Sequence, residues 1–400
     1  MLNPEFGRRN EIGIGIAIGI ETGYADGTPQ RETVNPCAGG PRMTSKDRVL
    51  TVLRRGMPDR VPVNYFANPG IDGRLKAHFG LARDDDEGLR RALGVDFRRA
   101  TPDYRGPRLH ADDPARGVVA NEWGIRRRWI EHGSGGYWDF CDFPLRDADE
   151  ETIARWPLPS PDDYDYEAAR ETARRYSAAG YAVFVGGAGW CDIINGNGML
   201  RGMEQVLVDL ATDDPAGALL ARRRVELQIE ILRRAIEAAE GRADFLWMGE
   251  DLGTQIGPLI GLDLYRRALR PLHQRFVDLA RSFDLPVMIH TCGSSSWVYE
   301  DFIEMGVAAV DTLQPEARDM SPEYLKRTFG GRLAFHGCIS TAGPVERGTA
   351  VETVAYCRRI LEIMMPGGGY AFAPTHELQD DSPTENVVAM YETARRWGVY

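Results

Sequence analysis

Apolar residues recur with helical spacing in a series of windows along the chain, and short apolar runs separate those windows. Thr44-Ser45-Lys46-Asp47 has the spacing of a capping box, and Val49, Leu50 and Leu53 behind it share one helical face, so a helix opens at about Thr44. Val61–Tyr65 begins the first strand, with Pro62 early enough to be tolerated there. Ile71–Phe79 and Asp84–Leu93 read as short helices. The stretch Val95–Pro157 mixes strand-like pieces, Val118–Trp123 and Arg127–Ile130, with turns and is predicted to be an insertion.

From Asp165 the alternation is regular. Helical windows fall at Tyr166–Ala178, Met203–Leu210, Pro215–Ala239, Leu262–Phe283, Ser296–Met305, Pro322–Thr328, Val351–Met364 and Thr384–Trp397. Apolar runs lie between them at Ala182–Val185, Phe245–Met248, Val287–Ile289, Ala309–Leu313, Leu333–Phe335 and Tyr370–Phe372. With Val61–Tyr65 and Val95–Phe97 these make eight strands. The pattern predicts parallel βα units and an α/β fold, a (β/α)8 TIM-like barrel with an N-terminal insertion region; an open doubly wound sheet is the alternative. No Gly-x-Gly-x-x-Gly follows a first strand, so a dinucleotide has no support.

Composition narrows the class. In 400 residues, 48 Lys+Arg against 59 Asp+Glu leave a formal charge of −11, which argues against nucleic-acid or polybasic membrane binding. Six irregularly spaced cysteines suit reduced thiols in a cytoplasmic protein. No apolar run reaches the roughly 20 residues that span a bilayer. Residues 1–42, including Ile12–Ile20, are unlike the rest and are expected to be a disordered extension, with the folded unit at 43–400.

Reactive side chains gather where a barrel's strands would end. Glu250 and Asp251 follow one run, His290 and Cys292 the next, then Asp311 with Gln314, then His336 and Cys338, and last Thr375-His376-Glu377. His290-Thr291-Cys292 offers nitrogen and sulfur donors two residues apart, which zinc accepts; a catalytic zinc keeps three protein ligands and one open position. His376, Cys338 or Glu250 is the candidate third ligand, and spacing does not choose among them. Glu250 and Asp251 are candidates for proton management, because adjacent carboxylates in a dry site split their pKa values. Trp123 and the Tyr137-Trp138 pair are candidate pocket walls.

Over Met43–Tyr400 these stretches resemble the uroporphyrinogen decarboxylase (URO-D) superfamily, which includes zinc- and cobamide-dependent methyltransferases. The resemblance rests on Asp47-Arg48-Val49-Leu50, Pro58-Asp59-Arg60-Val61-Pro62-Val63, Gly249-Glu250-Asp251-Leu252-Gly253, His290-Thr291-Cys292-Gly293, Pro366-Gly367-Gly368-Gly369-Tyr370 and Pro383-Thr384-Glu385-Asn386-Val387. It implies a (β/α)8 barrel and a homodimer. The decarboxylases carry arginines after the first strand to grip a polyanionic tetrapyrrole, whereas this chain reads Asn64-Tyr65-Phe66-Ala67-Asn68-Pro69 there.

The methyltransferase branch is therefore favoured, with zinc on His290, Cys292 and either His376 or Cys338. Glu250, Asp251 and His376 are its expected catalytic groups, and Asn64, Trp123 and Gln314 its expected cofactor contacts. A small methyl donor or thiol acceptor would be the substrate, and a corrinoid on a partner protein would carry the methyl group. Metal-free decarboxylation of a smaller acid through His376 and Asp251 is the second expectation. A non-catalytic corrinoid- or porphyrin-binding barrel is the third.

Overall fold

Parallel pairing in chain order joins seven of the expected strands into one curled sheet. In the computed structural model, which describes Met43–Tyr400, the strands are β1 (Phe97–Arg99), β2 (Val118–Ala120), β3 (Arg126–His132), β4 (Gly135–Phe140), β5 (Ala182–Gly186), β6 (Phe245–Gly249), β7 (Val287–Thr291), β8 (Ala309–Thr312), β9 (Ala334–Ile339) and β10 (Tyr370–Pro374). β1 and β5 to β10 form the parallel sheet, and β2, β3 and β4 form a separate antiparallel one. The expected extension, residues 1–42, lies outside the described residues. Among the described residues no helix is long and apolar enough to cross a membrane.

The eighth expected strand, Val61–Tyr65, is an extended segment held at single points. Phe372 N–H donates to Pro62 O at 2.8 Å, and Asn64 N–H donates to Phe372 O at 3.0 Å. On the other side Asp96 N–H donates to Val63 O at 2.8 Å. The segment thus touches β10 and the residue just before β1, the two edges of the sheet. Pro62 has no N–H to add to a ladder, which keeps the pairing short.

Strand residues alternate between two apolar layers, as a period of two requires. Phe97, Phe184, Phe245, Trp247, Met288 and Ala309 point to an inner cluster, closed from below by Val49, Val52 and Leu53 of the first helix. Leu246, Met248, Ile289, Val310, Phe335 and Phe372 point outward to a larger cluster shared with the helices. Burial on both faces is what covered parallel strands require.

The first helix, Ser45–Leu53, opens as the spacing predicts, with Thr44 and Asp47 forming a capping box. The helices Tyr166–Ala178 and Thr384–Trp397 match the sequence windows end to end. Differences concentrate where tertiary contacts decide. β7 and β9 run further than their apolar cores, so His290, His336 and Cys338 lie within strands and not beyond them. The helices Glu150–Arg155, Ile194–Arg201 and Pro344–Arg347 were not expected; each is short and lacks a long apolar stripe. Strand β4 hides behind its glycines, and its register Trp129↔Trp138 and His132↔Gly135 against β3 forms the insertion's hairpin.

A buried carboxylate ties the bottom of the sheet together. Asp96 accepts from Arg48 at 2.8 Å, from Arg60 at 2.8 Å, from Ser45 Oγ at 2.7 Å and from Val63 N–H at 2.8 Å. It thereby joins the first helix, the Val61–Tyr65 segment and the start of β1. Removing one partner from a buried charge network leaves the others uncompensated, at a cost of about 3–5 kcal/mol. Asp96→Ala should lose about that much in guanidinium unfolding; a variant within about 1 kcal/mol of wild type would show that the network is not what holds this corner.

Candidate active site

Register and alternation together build the centre of the site. His290 pairs with Asp311 across β7 and β8, and Asp311 pairs with His336 across β8 and β9. Each stands two residues beyond an inward-facing Met288, Ala309 or Ala334, so all three occupy the next inward rung. Asp311 Oδ2 lies 2.7 Å from His290 Nδ1, and Oδ1 lies 2.6 Å from His336 Nδ1. Burial pushes the Asp311 carboxyl up, but the two imidazoles outweigh it and hold it below the ordinary carboxylate range.

The hydrogen-bond chain fixes which nitrogens carry protons. Tyr65 N–H donates to Asn64 Oδ1 at 2.9 Å, so the Asn64 amide nitrogen is the donor to His336 Nε2 at 3.1 Å. Nδ1 of His336 then carries the hydrogen given to Asp311. His290 likewise gives its Nδ1 hydrogen to Asp311, which turns its Nε2 edge towards Cys292 and Asp251.

At that edge three potential ligand atoms converge. His290 Nε2 is 3.4 Å from Cys292 Sγ and 3.8 Å from Asp251 Oδ1, and one atom of each of the three residues lies within 4.8 Å of the others. Asp251 is itself held, accepting from Cys292 N–H at 2.8 Å and from Asn195 Nδ2 at 2.8 Å. Burial lowers the His290 pKa, but the Cys292 sulfur and Asp311 outweigh it and hold it well above its usual value. Burial raises the Cys292 thiol, only partly offset by His290. An edge that retains a proton among nitrogen, sulfur and carboxylate offers the donors a divalent cation takes in its place.

A cavity of about 1160 Å³ opens above this rung, lined by His290, Asp311, Trp247 and Phe66 from the sheet side. The insertion's hairpin supplies the opposite wall with Arg127, Trp129, Tyr137 and Trp138. Asp380, almost fully buried, pins the hairpin down, accepting from Ile71 N–H at 3.0 Å and Gly136 N–H at 3.3 Å. A Cβ at Gly135 would meet the Asp380 carboxylate at 2.1 Å, so glycine is required for this approach.

Other residues singled out from sequence fall elsewhere. Cys338, a candidate third ligand, follows His336 by two residues, which strand alternation would put on the same face, but Gly337 and Cys338 both have positive φ, 117° and 70°. That kink breaks the alternation and sends Cys338 into the outer apolar cluster, away from His290 and Cys292. A Cβ at Gly337 would meet Thr312 O at 2.1 Å, so only glycine permits the turn. His376 is exposed on the rim of the large cavity and does not join the three-residue cluster. Asn64 orients His336 and does not line the cavity. Gln314 is half-buried and lines neither of the two cavities at the mouth. Trp123 walls a second cavity beside the first.

Glu250, expected to face the site, is fully buried behind it. Its carboxylate accepts from Ile193 N–H at 2.9 Å and Ile194 N–H at 2.8 Å, and His273 Nε2 lies 3.1 Å away. It is a fastener for the turn that carries Asp192 and for the start of the helix Ile194–Arg201 that carries Asn195. Burial pushes Glu250 up to about 8 and, with Glu250 opposite, holds Asp192 well above the ordinary carboxylate range.

Burial also pulls His273 down to about 3, so it is neutral in the folded protein. A folded-state value below the unfolded one gives stability that is intact above about pH 6.5 and lost as pH falls towards 3. At 1.36 kcal/mol per unit, the His273 share lost between pH 7 and pH 4 is about 3 kcal/mol. His273→Gln should gain roughly that much stability relative to wild type in chemical unfolding as pH falls from 7 to 4. Parallel curves for variant and wild type would contradict the assignment.

Comparison with known proteins agrees with this architecture. The family model described as Uroporphyrinogen decarboxylase (URO-D) matches residues 144–397. No curated protein sequence matches the chain. Among solved structures, a methyltransferase from Methanosarcina mazei aligns with a TM-score of 0.60 at 17% identity, covering 88% of this chain and 98% of that one, which shows a shared fold. With most of its length matched by the family model and its parallel sheet built accordingly, this chain belongs to the uroporphyrinogen decarboxylase (URO-D) family.

Proposed function

We propose that this protein is a zinc-dependent methyltransferase, moving a methyl group between a small methylated or thiol substrate and a corrinoid carried by a separate protein. The convergence of His290, Cys292 and Asp251 carries the reading. Tetrahedral zinc with bonds of 2.0–2.3 Å separates its ligand atoms by about 3.3–3.6 Å; the 3.4 Å from His290 Nε2 to Cys292 Sγ falls within that, and the 3.8 Å to Asp251 Oδ1 would have to close by a few tenths of an ångström. Asp251 thus takes the third position for which His376, Cys338 and Glu250 were the sequence candidates. The family membership and the methyltransferase that shares the fold support the same reading.

When bound, zinc supplies a Lewis acid that stabilises a thiolate at neutral pH or polarises a bond to methyl. The chain's own residues prepare for it. Asp311 orients His290 and keeps hydrogen on Nδ1, so that Nε2 is the ligating nitrogen. His336 and Asn64 hold Asp311 in turn, and Asn195 holds Asp251. Phe66 and Trp247 give the cavity apolar walls on the side of His290. The same proposal takes Val61–Tyr65 as the eighth stave of a closed barrel and the protein as a cytoplasmic homodimer.

Purified protein should contain one zinc per chain by elemental analysis, and Cys292→Ala should lose it. Asp311→Ala, which keeps every ligand, should weaken zinc binding about 10–100-fold. Full zinc retention in Cys292→Ala would end this reading, and turnover of a carboxylic acid by chelated protein would replace it with metal-free decarboxylation.

A further inference from the structure

Hydrogen-bond donors without partners are concentrated at one place in the protein. Among the described residues six buried side-chain groups have no partner: Arg127 Nε, Tyr164 Oη, Arg224 Nε, Trp247 Nε1, Trp297 Nε1 and Ser382 Oγ. The first four belong to residues that line the second cavity, of about 480 Å³. Buried polar groups are nearly always paired, so four orphaned donors around one space call for a molecule that brings acceptors. Tyr164, Arg224 and Trp247 are each more than nine-tenths buried, at 7%, 6% and 2% exposure.

The charge in this cavity points the same way. Arg99 at the end of β1, Arg127 on the hairpin and Arg224 on the helix Pro215–Ala238 all line it. None makes an ion pair among the described residues. Arg99 feels Asp103 and Arg127 feels Glu122 only at a distance, and Arg224 feels Asp192 and Glu250 in the same way. Arg224 spends one nitrogen on Asn197 Oδ1 at 2.7 Å and stacks 5.4 Å from the Trp123 ring. Asp103, Glu122 and Asp192 line the cavity too and offset most of the positive charge, so a singly charged ligand fits where a doubly charged one would be repelled. Tyr104, Trp123, Phe184, Trp190 and Trp247 give the remaining walls flat apolar faces.

We propose that this cavity binds the carboxylate of a small, flat, singly charged organic acid, with Arg127, Arg224, Tyr164 and Trp247 as donors. Phe66, Arg127, Ala188 and Trp247 also line the larger cavity, so a molecule anchored here extends towards His290. Its role as the tail of the methyl-bearing substrate rests on the function proposed above, whereas its selectivity for a carboxylate does not. The arginines missing after the first strand are thus replaced by three drawn from distant parts of the chain.

Benzoate is a suitable probe, titrated calorimetrically into chelator-treated full-length protein. It should bind at least about tenfold tighter than its neutral isostere benzamide, and inorganic phosphate should not displace it. Arg127→Gln and Tyr164→Phe, with unchanged far-ultraviolet circular dichroism, should each weaken benzoate about tenfold, and Arg127→Lys should recover part of the loss. Cys292→Ala should bind benzoate like wild type, which separates this site from the zinc reading. Equal affinity for benzoate and benzamide, displacement by phosphate, or full benzoate affinity in Arg127→Gln would overturn the assignment.

Discussion

The carboxylate of Asp311, shared between two imidazoles from the neighbouring strands, is the contact on which the candidate site depends. One oxygen faces His290 and the other His336, at 2.7 and 2.6 Å. Parallel strands in register deliver these three side chains to one level without any loop having to fold in a special way. Because the carboxylate is buried, it depends on the hydrogen atoms those rings supply, and each ring is in turn oriented with its Nδ1 hydrogen on Asp311. A polar triad on the inner face of the sheet, otherwise lined by Phe184, Phe245, Trp247 and Met288, would be costly if any member were left unpaired. Its full satisfaction, out to Asn64 and the backbone of Tyr65, explains how the interior accommodates it.

Around that rung the loops have divided labour. Glu250 is spent on backbone amides behind the site, and the next residue, Asp251, faces His290 and Cys292. Adjacent carboxylates therefore have opposite placements, one a buried fastener and the other a member of the cluster with His290 and Cys292, because consecutive residues leaving a strand point to opposite sides. The hairpin of β3 and β4 then roofs the mouth, anchored by Asp380, and brings Arg127 over both cavities. A hairpin that stands outside the parallel sheet thereby shapes the cavity at its mouth.

Much of the scaffold was legible in the chain. Capping at Thr44, helical windows such as Tyr166–Ala178 and the apolar runs of β5 to β10 depend on local patterning, and they fell close to their expected places. The association of His290 with Cys292 was legible too, because two residues at one strand end cannot separate far. What failed did so for identifiable reasons. Cys338 needed a backbone kink at Gly337 that no apolar pattern announces. Asp311 stood in the sequence only as one acid near a strand end, and its pairing with two imidazoles emerges from its register against β7 and β9. Arg99, Arg127 and Arg224 are 125 residues apart from first to last, and only the fold unites them in one cavity.

The sequence alone determined the alternation of strand and helix, the order of the strands, and the short-range pair His290 and Cys292, because each of these follows from periodicity or from neighbours along the backbone. The tertiary structure decided that Asp251 and not a distant cysteine or histidine completes the cluster, that Asp311 orients it, and that unpaired arginines and orphaned donors share a second cavity. Those outcomes depend on which strands lie side by side, in what register, and which side chains are left without partners once the core has closed.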